Sequence, residues 1–124
     1  MKILITGANT GIGFATAEQL VKNGQHVILA CRNPLKAQAA LKKLRALDQG
    51  QVDFISLDLN SLEHTRKAAD EIADRYGDLD VLINNAGLFA KTKQLTQDGF
   101  EQQFGVNYLG HFLFTQKLLP VLEK

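Results

Sequence analysis

Ile3-Leu4-Ile5-Thr6-Gly7-Ala8-Asn9-Thr10-Gly11-Ile12-Gly13 stands at the start of the chain, and its reading decides the fold. Three consecutive apolar residues make a first strand, three glycines follow at once, and Ala17, Leu20 and Val21 then mark a helical stripe. Gly7 permits a tight turn out of the strand. Gly11 lets backbone approach a pyrophosphate with no Cβ in the way, and Gly13 lets the helix pack closely on the strand. The free N–H groups of the first helical turn, at the positive end of the helix dipole, suit phosphate oxygens. The spacing is G-x3-G-x-G, neither G-x-G-x-x-G nor the phosphate loop that ends in Gly-Lys-Ser/Thr. An ordinary glycine-rich turn from strand to helix has the same look, so the loop must be weighed with what surrounds it.

Outward from this stretch, short apolar runs alternate with segments of helical period. Val27–Ala30, Val52–Leu57 and Val81–Ile83 predict three further strands. They show little two-residue alternation, as expected of strands covered on both faces of a parallel sheet. Ala37, Ala40, Leu41, Leu44 and Leu47 form a second helical stripe, and Leu62, Thr65, Ala69, Ile72, Ala73 and Tyr76 a third. Asn33-Pro34 reads as an N-cap followed by proline at the first helical position. Asn60 is a candidate cap for the third helix, with Glu63 reaching back. Gly24 and Gly50 follow stripes, where a left-handed residue often ends a helix. The alternation implies right-handed βαβ units and an α/β fold: the first half, about four strands, of a Rossmann-type doubly wound parallel sheet.

The segment from Phe100 to Leu122 differs. Phe104, Val106, Tyr108, Leu109, Phe112, Leu113, Phe114, Leu118 and Leu119 run almost round a whole helix, which must then be buried on more than one side. Four strands and their own helices can cover only one of those sides.

Length and composition are those of one soluble domain, taken as residues 1–124: apolar residues make up 45% and charged residues 22%. A net charge of +1 without charged blocks gives no sign of nucleic acid or an anionic membrane. No apolar run approaches the ~20 residues of a membrane span, and the N-terminus carries no secretory pattern. The single cysteine cannot form an internal disulfide, which fits a reducing, cytoplasmic setting. No metal site is assigned.

Four ordered motifs resemble the short-chain dehydrogenase/reductase family: Thr6 to Gly13, Asp58-Leu59, Asn84-Asn85-Ala86-Gly87, and Asn107 in the last helix. Ala30-Cys31-Arg32-Asn33 and Val106-Asn107-Tyr108-Leu109-Gly110-His111-Phe112 are most similar to its retinol dehydrogenase-like branch. The resemblance covers the whole chain. It implies that Gly7, Asn9, Thr10, Gly11, Ile12 and Gly13 surround the pyrophosphate of a nicotinamide dinucleotide. It also implies that Asp58 and Leu59 meet the adenine, and that Asn85, Ala86 and Gly87 bring backbone to the ribose. Asn84 would brace the central strands.

Cofactor choice is read at the end of the second strand, where users of NAD commonly carry an acidic residue for the ribose 2′-OH. Here Cys31-Arg32 offers no carboxylate, and the planar fork of Arg32 suits a 2′-phosphate. NADP(H) is therefore expected, with NAD possible, although Thr10 stands where many NADP users of the family have a second basic residue.

The family's chemistry uses a tyrosine, a lysine four residues later, and a serine. The lysine lowers the phenol pKa from its ordinary ~10. Tyr76 is followed four positions on by Asp80 and Tyr108 by Phe112, so neither matches, and the chain is expected to be incomplete at its C-terminus. Asn107 is the one catalytic member expected here, holding a water in the proton relay. His111 and Cys31 read as packing residues. The leading expectation is the NADP(H)-binding half of an oxidoreductase that moves hydride between nicotinamide and a small carbonyl or hydroxyl substrate, assembling as a homo-oligomer through its last helix. The alternative is a non-catalytic dinucleotide-binding or interaction module.

Overall fold

The structure, a computed structural model, describes residues 1–88 and 92–124. Strands β1 (Lys2–Thr6), β2 (His26–Cys31), β3 (Gln51–Ser56) and β4 (Val81–Ile83) form one parallel sheet in the order β3-β2-β1-β4. Helices α1 (Gly11–Lys22), α2 (Pro34–Arg45) and α3 (Leu62–Tyr76) make the crossovers. After β4 come α4 (Gln102–Phe104), a π-helical stretch (Gly105–Gly110) and α5 (His111–Leu122), each running into the next. The expected half of a doubly wound sheet is what forms.

Both faces of the sheet are covered, which is why its strands are apolar throughout. Ile3, Ile5, Val27 and Leu29 face one way, packed with Ala17 and Val21 of α1 and Leu41 and Leu44 of α2. Leu4, Ile28 and Ile55 face the other way, toward Ala69 and Ile72 of α3 and Phe114 and Leu118 of α5. Each such Leu or Ile taken out of water contributes about 1.5–3 kcal/mol. Strand order reverses at β1: the chain leaves it toward β2 on one side and returns through β4 on the other. A crevice opens at such a point, beyond the C-terminal ends of the strands.

Several local expectations are corrected. Ser61 rather than Asn60 caps α3, its side chain accepting from the His64 N–H at 3.2 Å. The Asn60 side chain is turned elsewhere, its Oδ1 accepting from Gln102 Nε2 at 3.4 Å, and its N–H is held by Asp58 Oδ1 at 2.9 Å, the place expected of Glu63. Gly50 does not end α2, which stops at Arg45; it leads into β3, one residue before Gln51. The last segment is helical only from Gln102 and contains the π stretch, where one residue too many per turn is accommodated. Its inner face buries Val106, His111, Phe114, Leu118 and Val121. On its outer face Phe104, Tyr108 and Phe112 stack in a ladder, with ring centroids 5.4 and 6.2 Å apart, and stay about half exposed. No helix among the described residues is long and apolar enough to cross a membrane.

The opposite end of the sheet, where strands begin, is fastened by polar contacts. Asp53 Oδ2 accepts from His26 Nε2 at 2.8 Å and from the Tyr76 hydroxyl at 3.0 Å. Burial pushes the Asp53 carboxyl up, but these two hydrogen bonds and the nearby His26 and Arg75 charges outweigh it and hold the group below its ordinary range. Burial and the Asp53 carboxylate push the Tyr76 phenol upward, the reverse of an activated acid/base. Because the folded pKa of Asp53 is depressed, its stabilising contribution is complete above the unfolded value of about 4 and is lost as pH falls below it. Asp53→Ala should cost about 2 kcal/mol at neutral pH, as for a hydrogen-bonded charge, and flatten the acid limb of stability. Urea unfolding across pH checks this; parallel pH profiles for the two proteins would contradict it.

Candidate functional site

At the reversal of strand order lies a cleft of about 410 Å³. Its walls come from four strand exits: Gly7, Asn9 and Thr10 after β1, Arg32 after β2, Asp58 and Leu59 after β3, and Ala86 and Gly87 after β4. Eight of the residues singled out in the sequence thus meet in one hollow. Gly11 lines an adjoining hollow between α1 and α2, and Asn107 a third on the far side of Ala86. Ile12 projects into solvent, 80% exposed, while Gly13 and Asn85 lie beneath the loop and line none of the three.

Two glycines make the loop possible. Gly7 has φ +66°, and a Cβ on it would lie 2.7 Å from Ala86 Cα, so the exits of β1 and β4 touch backbone to backbone. A Cβ on Gly13 would fall 2.6 Å from the Gly7 carbonyl oxygen and onto Asn85 Nδ2. That contact brings the first turn of α1 directly over the strand exit. The N-terminus of α1 is also electrically open. Asn33, Ser61 and Glu101 accept from backbone N–H groups at the starts of α2, α3 and α4, but Thr10 makes no side-chain cap on α1. Free N–H groups at a helix start beside a crevice suit an anion.

Charge is uneven across the cleft. Arg32 lines the cleft, and so does Lys36, from the first turn of α2. The reading of the sequence missed Lys36, though its signal is local. Asn33 caps α2 through the Leu35 and Lys36 N–H groups at 3.0 and 3.2 Å, which anchors Lys36 one turn above the end of β2. Asp58 lines the cleft too, after the neighbouring strand β3, one carboxylate oxygen held by the Asn60 N–H at 2.9 Å. Cys31 is a buried small residue whose thiol burial pushes up, so it is not an activated thiolate.

Thr6 was also passed over. Its hydroxyl accepts from the backbone N–H groups of Asn85 and Ala86, both at 2.9 Å, and ties the end of β1 to the exit of β4. Bracing of the central strands falls to Asn85, whose Nδ2 donates to the Thr6 and Gly7 carbonyls at 3.2 Å. Asn84, expected in that part, instead donates to Thr115 Oγ1 on α5 at 3.1 Å. Successive side chains leave the chain in different directions, and only the second of the pair points back along β1. The side-chain amide of Asn107 accepts from the Leu88 N–H and donates to the Leu88 carbonyl, each at 2.9 Å. It clamps the segment after β4 to the π stretch.

The family profile described as short chain dehydrogenase matches residues 1–124. The chain belongs to that family. It is 47% identical over 122 residues to retinol dehydrogenase 13 of Homo sapiens, covering 98% of this chain and 37% of that protein. Polyprenol dehydrogenase of Homo sapiens is 40% identical over 98% of this chain and 37% of its own length. The chain therefore spans well under half of these curated relatives. Among solved structures, an uncharacterized protein from Mycobacterium paratuberculosis superposes with a TM-score of 0.86 at 45% identity, over 97% of this chain and 42% of its own. A metagenomic short-chain oxidoreductase in complex with NADP gives 0.85 at 26% identity, over 98% and 55%. An alcohol dehydrogenase from Thermococcus sibiricus complexed with 5-hydroxy-NADP gives 0.83 at 28%, over 99% and 54%.

The contact beneath Gly13 can be tested. Gly13→Ala forces a methyl group between Asn85 and the Gly7 carbonyl and should cost about 1–3 kcal/mol, the usual range for overpacking. Chemical denaturation measures it, and an unchanged midpoint would show that α1 does not sit this close to the strand exit.

Proposed function

We propose that the cleft binds NADP(H) and that this chain is the nucleotide-binding part of an oxidoreductase acting on a carbonyl or hydroxyl substrate. The observation that carries the reading is the uncapped N-terminus of α1, opening onto a cleft at the reversal of strand order whose lining includes two cations. Solved relatives with NADP and 5-hydroxy-NADP in their structures support it. Bound nicotinamide supplies the hydride chemistry, and the protein binds and orients it.

Each wall takes a part in this reading. Gly7, Asn9, Thr10, Gly11, Ile12 and Gly13 present the first turn of α1 to the pyrophosphate, where the helix dipole favours negative charge. Arg32 and Lys36 grip the 2′-phosphate, the guanidinium through its fork and the ammonium as a compact charge. Asp58 and Leu59 hold the adenine, whose exocyclic amine donates to the carboxylate. Asn85, Ala86 and Gly87 form the ribose side, and Asn107 fixes the following backbone through Leu88. Lys36 supplies the second cation that Thr10 does not.

Calorimetric titration separates the cofactors. Arg32→Ala and Lys36→Ala should each weaken NADPH binding by about tenfold, as for one charge-assisted contact, and leave NADH binding within about twofold. Equal losses for NADPH and NADH would show that these cations read something other than the 2′-phosphate. Failure of the unaltered chain to bind either dinucleotide would overturn the reading itself.

A further inference from the structure

Thr6 Oγ1 has a third neighbour, His111 Nε2 of α5, at 2.9 Å. Both groups are buried, Thr6 fully and His111 to 7% exposure. A hydroxyl has one proton to give and two lone pairs to fill. The Asn85 and Ala86 N–H groups can only donate, so they take the lone pairs, and the hydroxyl proton must go to His111 Nε2. That nitrogen is then the bare acceptor, and the ring proton sits on Nδ1. The other side of the ring agrees, because Nδ1 lies 3.3 Å from the Asn107 carbonyl, which can only accept. That carbonyl belongs to the π stretch, and at its end the His111 N–H bonds to the Tyr108 carbonyl.

We propose that His111, held as its Nδ1–H tautomer between the Asn107 carbonyl and the Thr6 hydroxyl, is a positioning residue. It aims that hydroxyl so that its lone pairs hold the Asn85 and Ala86 amides, and so couples the last helix to the floor of the cleft. Its effect on NADP(H) rests on the binding reading above; its tautomer and its grip on the two amides do not. A second ring proton would put a donor on Nε2. The Thr6 oxygen would then face three donors with two lone pairs, and one amide would have to leave.

Burial holds the imidazole below its ordinary range, in keeping with a neutral ring. The hollow beside it is lined by Asn84 and Ala86 from the β4 exit, and by Tyr108, Phe112, Thr115 and Gln116 from the last helix. Tyr108 is the one other titratable side chain among the described residues of that lining, and β1 contributes only the Thr6 hydroxyl. No carboxylate in the lining would stabilise a charged ring. With the folded pKa depressed, stability declines as pH falls below the ordinary ~6.5 of the unfolded ring, and the network itself gives way only lower, where the folded ring takes its second proton.

Nitrogen-15 spectra of the chain at neutral pH, without cofactor, should show His111 protonated at Nδ1 and bare at Nε2. His111→Leu and Thr6→Val should each speed exchange of the Asn85 and Ala86 amides about tenfold and weaken NADPH about tenfold, the worth of one buried hydrogen bond. The double variant should be little worse than either alone, because both remove one shared contact. His111→Gln, whose Oε1 can accept from the Thr6 hydroxyl, should restore NADPH affinity to within about twofold and abolish the decline that sets in, at a pH lower than the ordinary imidazole value, where the folded ring takes its second proton. Protonation at Nε2 in the unaltered chain would overturn the proposal. So would unchanged amide exchange in a well-dispersed His111→Leu spectrum, or in Thr6→Val if the leucine variant does not fold. If the unaltered chain binds no NADPH, the binding reading falls, and the tautomer and amide exchange still decide the role of His111.

Discussion

The exits of β1 and β4 meet backbone to backbone, and the cleft depends on that approach. A Cβ at Gly7 would collide with Ala86, and one at Gly13 with the Gly7 carbonyl and Asn85. Only glycine satisfies both constraints, and removing two side chains leaves polar backbone facing polar backbone at the half-buried edge of the cleft. Thr6 and Asn85 resolve this. The Thr6 hydroxyl takes two amides from the β4 side, and the Asn85 amide gives to two carbonyls on the β1 side. No buried side-chain polar atom among the described residues lacks a partner, as a tightly drawn junction of this kind requires.

This junction separates two ends of the sheet with opposite electrostatic character. Where strands begin, Asp53 is surrounded by His26, Tyr76 and Arg75, and the charges there are paired internally. Where strands end, α1 presents uncapped N–H groups, and Arg32 and Lys36 stand over the same cleft. Tyr76 shows the difference. Its phenol donates to a carboxylate and is pushed upward, so it fastens the fold and takes no proton from a substrate. The uncapped helix start and two cations, Arg32 and Lys36, come together at one end, which is the end a dinucleotide phosphate would use.

The fold was legible because its signals are long and repeated. Uninterrupted apolar strands and three helical stripes leave little freedom once the first glycine turn is placed. The cleft was largely legible because its walls come from strand exits, each marked by a short motif. What escaped is what depends on direction in space. Nothing in Asn84-Asn85 says which asparagine turns toward β1, and only the fold shows Asn84 reaching Thr115. Asn60 and Ser61 are equally good caps by composition, and only the fold shows the Asn60 side chain turned to Gln102 while Ser61 takes the His64 N–H. Lys36 needed the capped start of α2 to bring it over β2. Thr6 and His111 are 105 residues apart, and no local pattern joins them.

Titrating NADPH into the isotope-labelled chain while following backbone amide resonances shows which surface receives the dinucleotide. For binding in the cleft, saturable shifts are expected at Gly7 to Gly13, Arg32, Lys36, Asp58, Leu59 and Asn85 to Gly87, with the resonances around His26, Asp53 and Tyr76 unmoved. Shifts centred on the strand-beginning end, or spread without saturation over the surface, would contradict it.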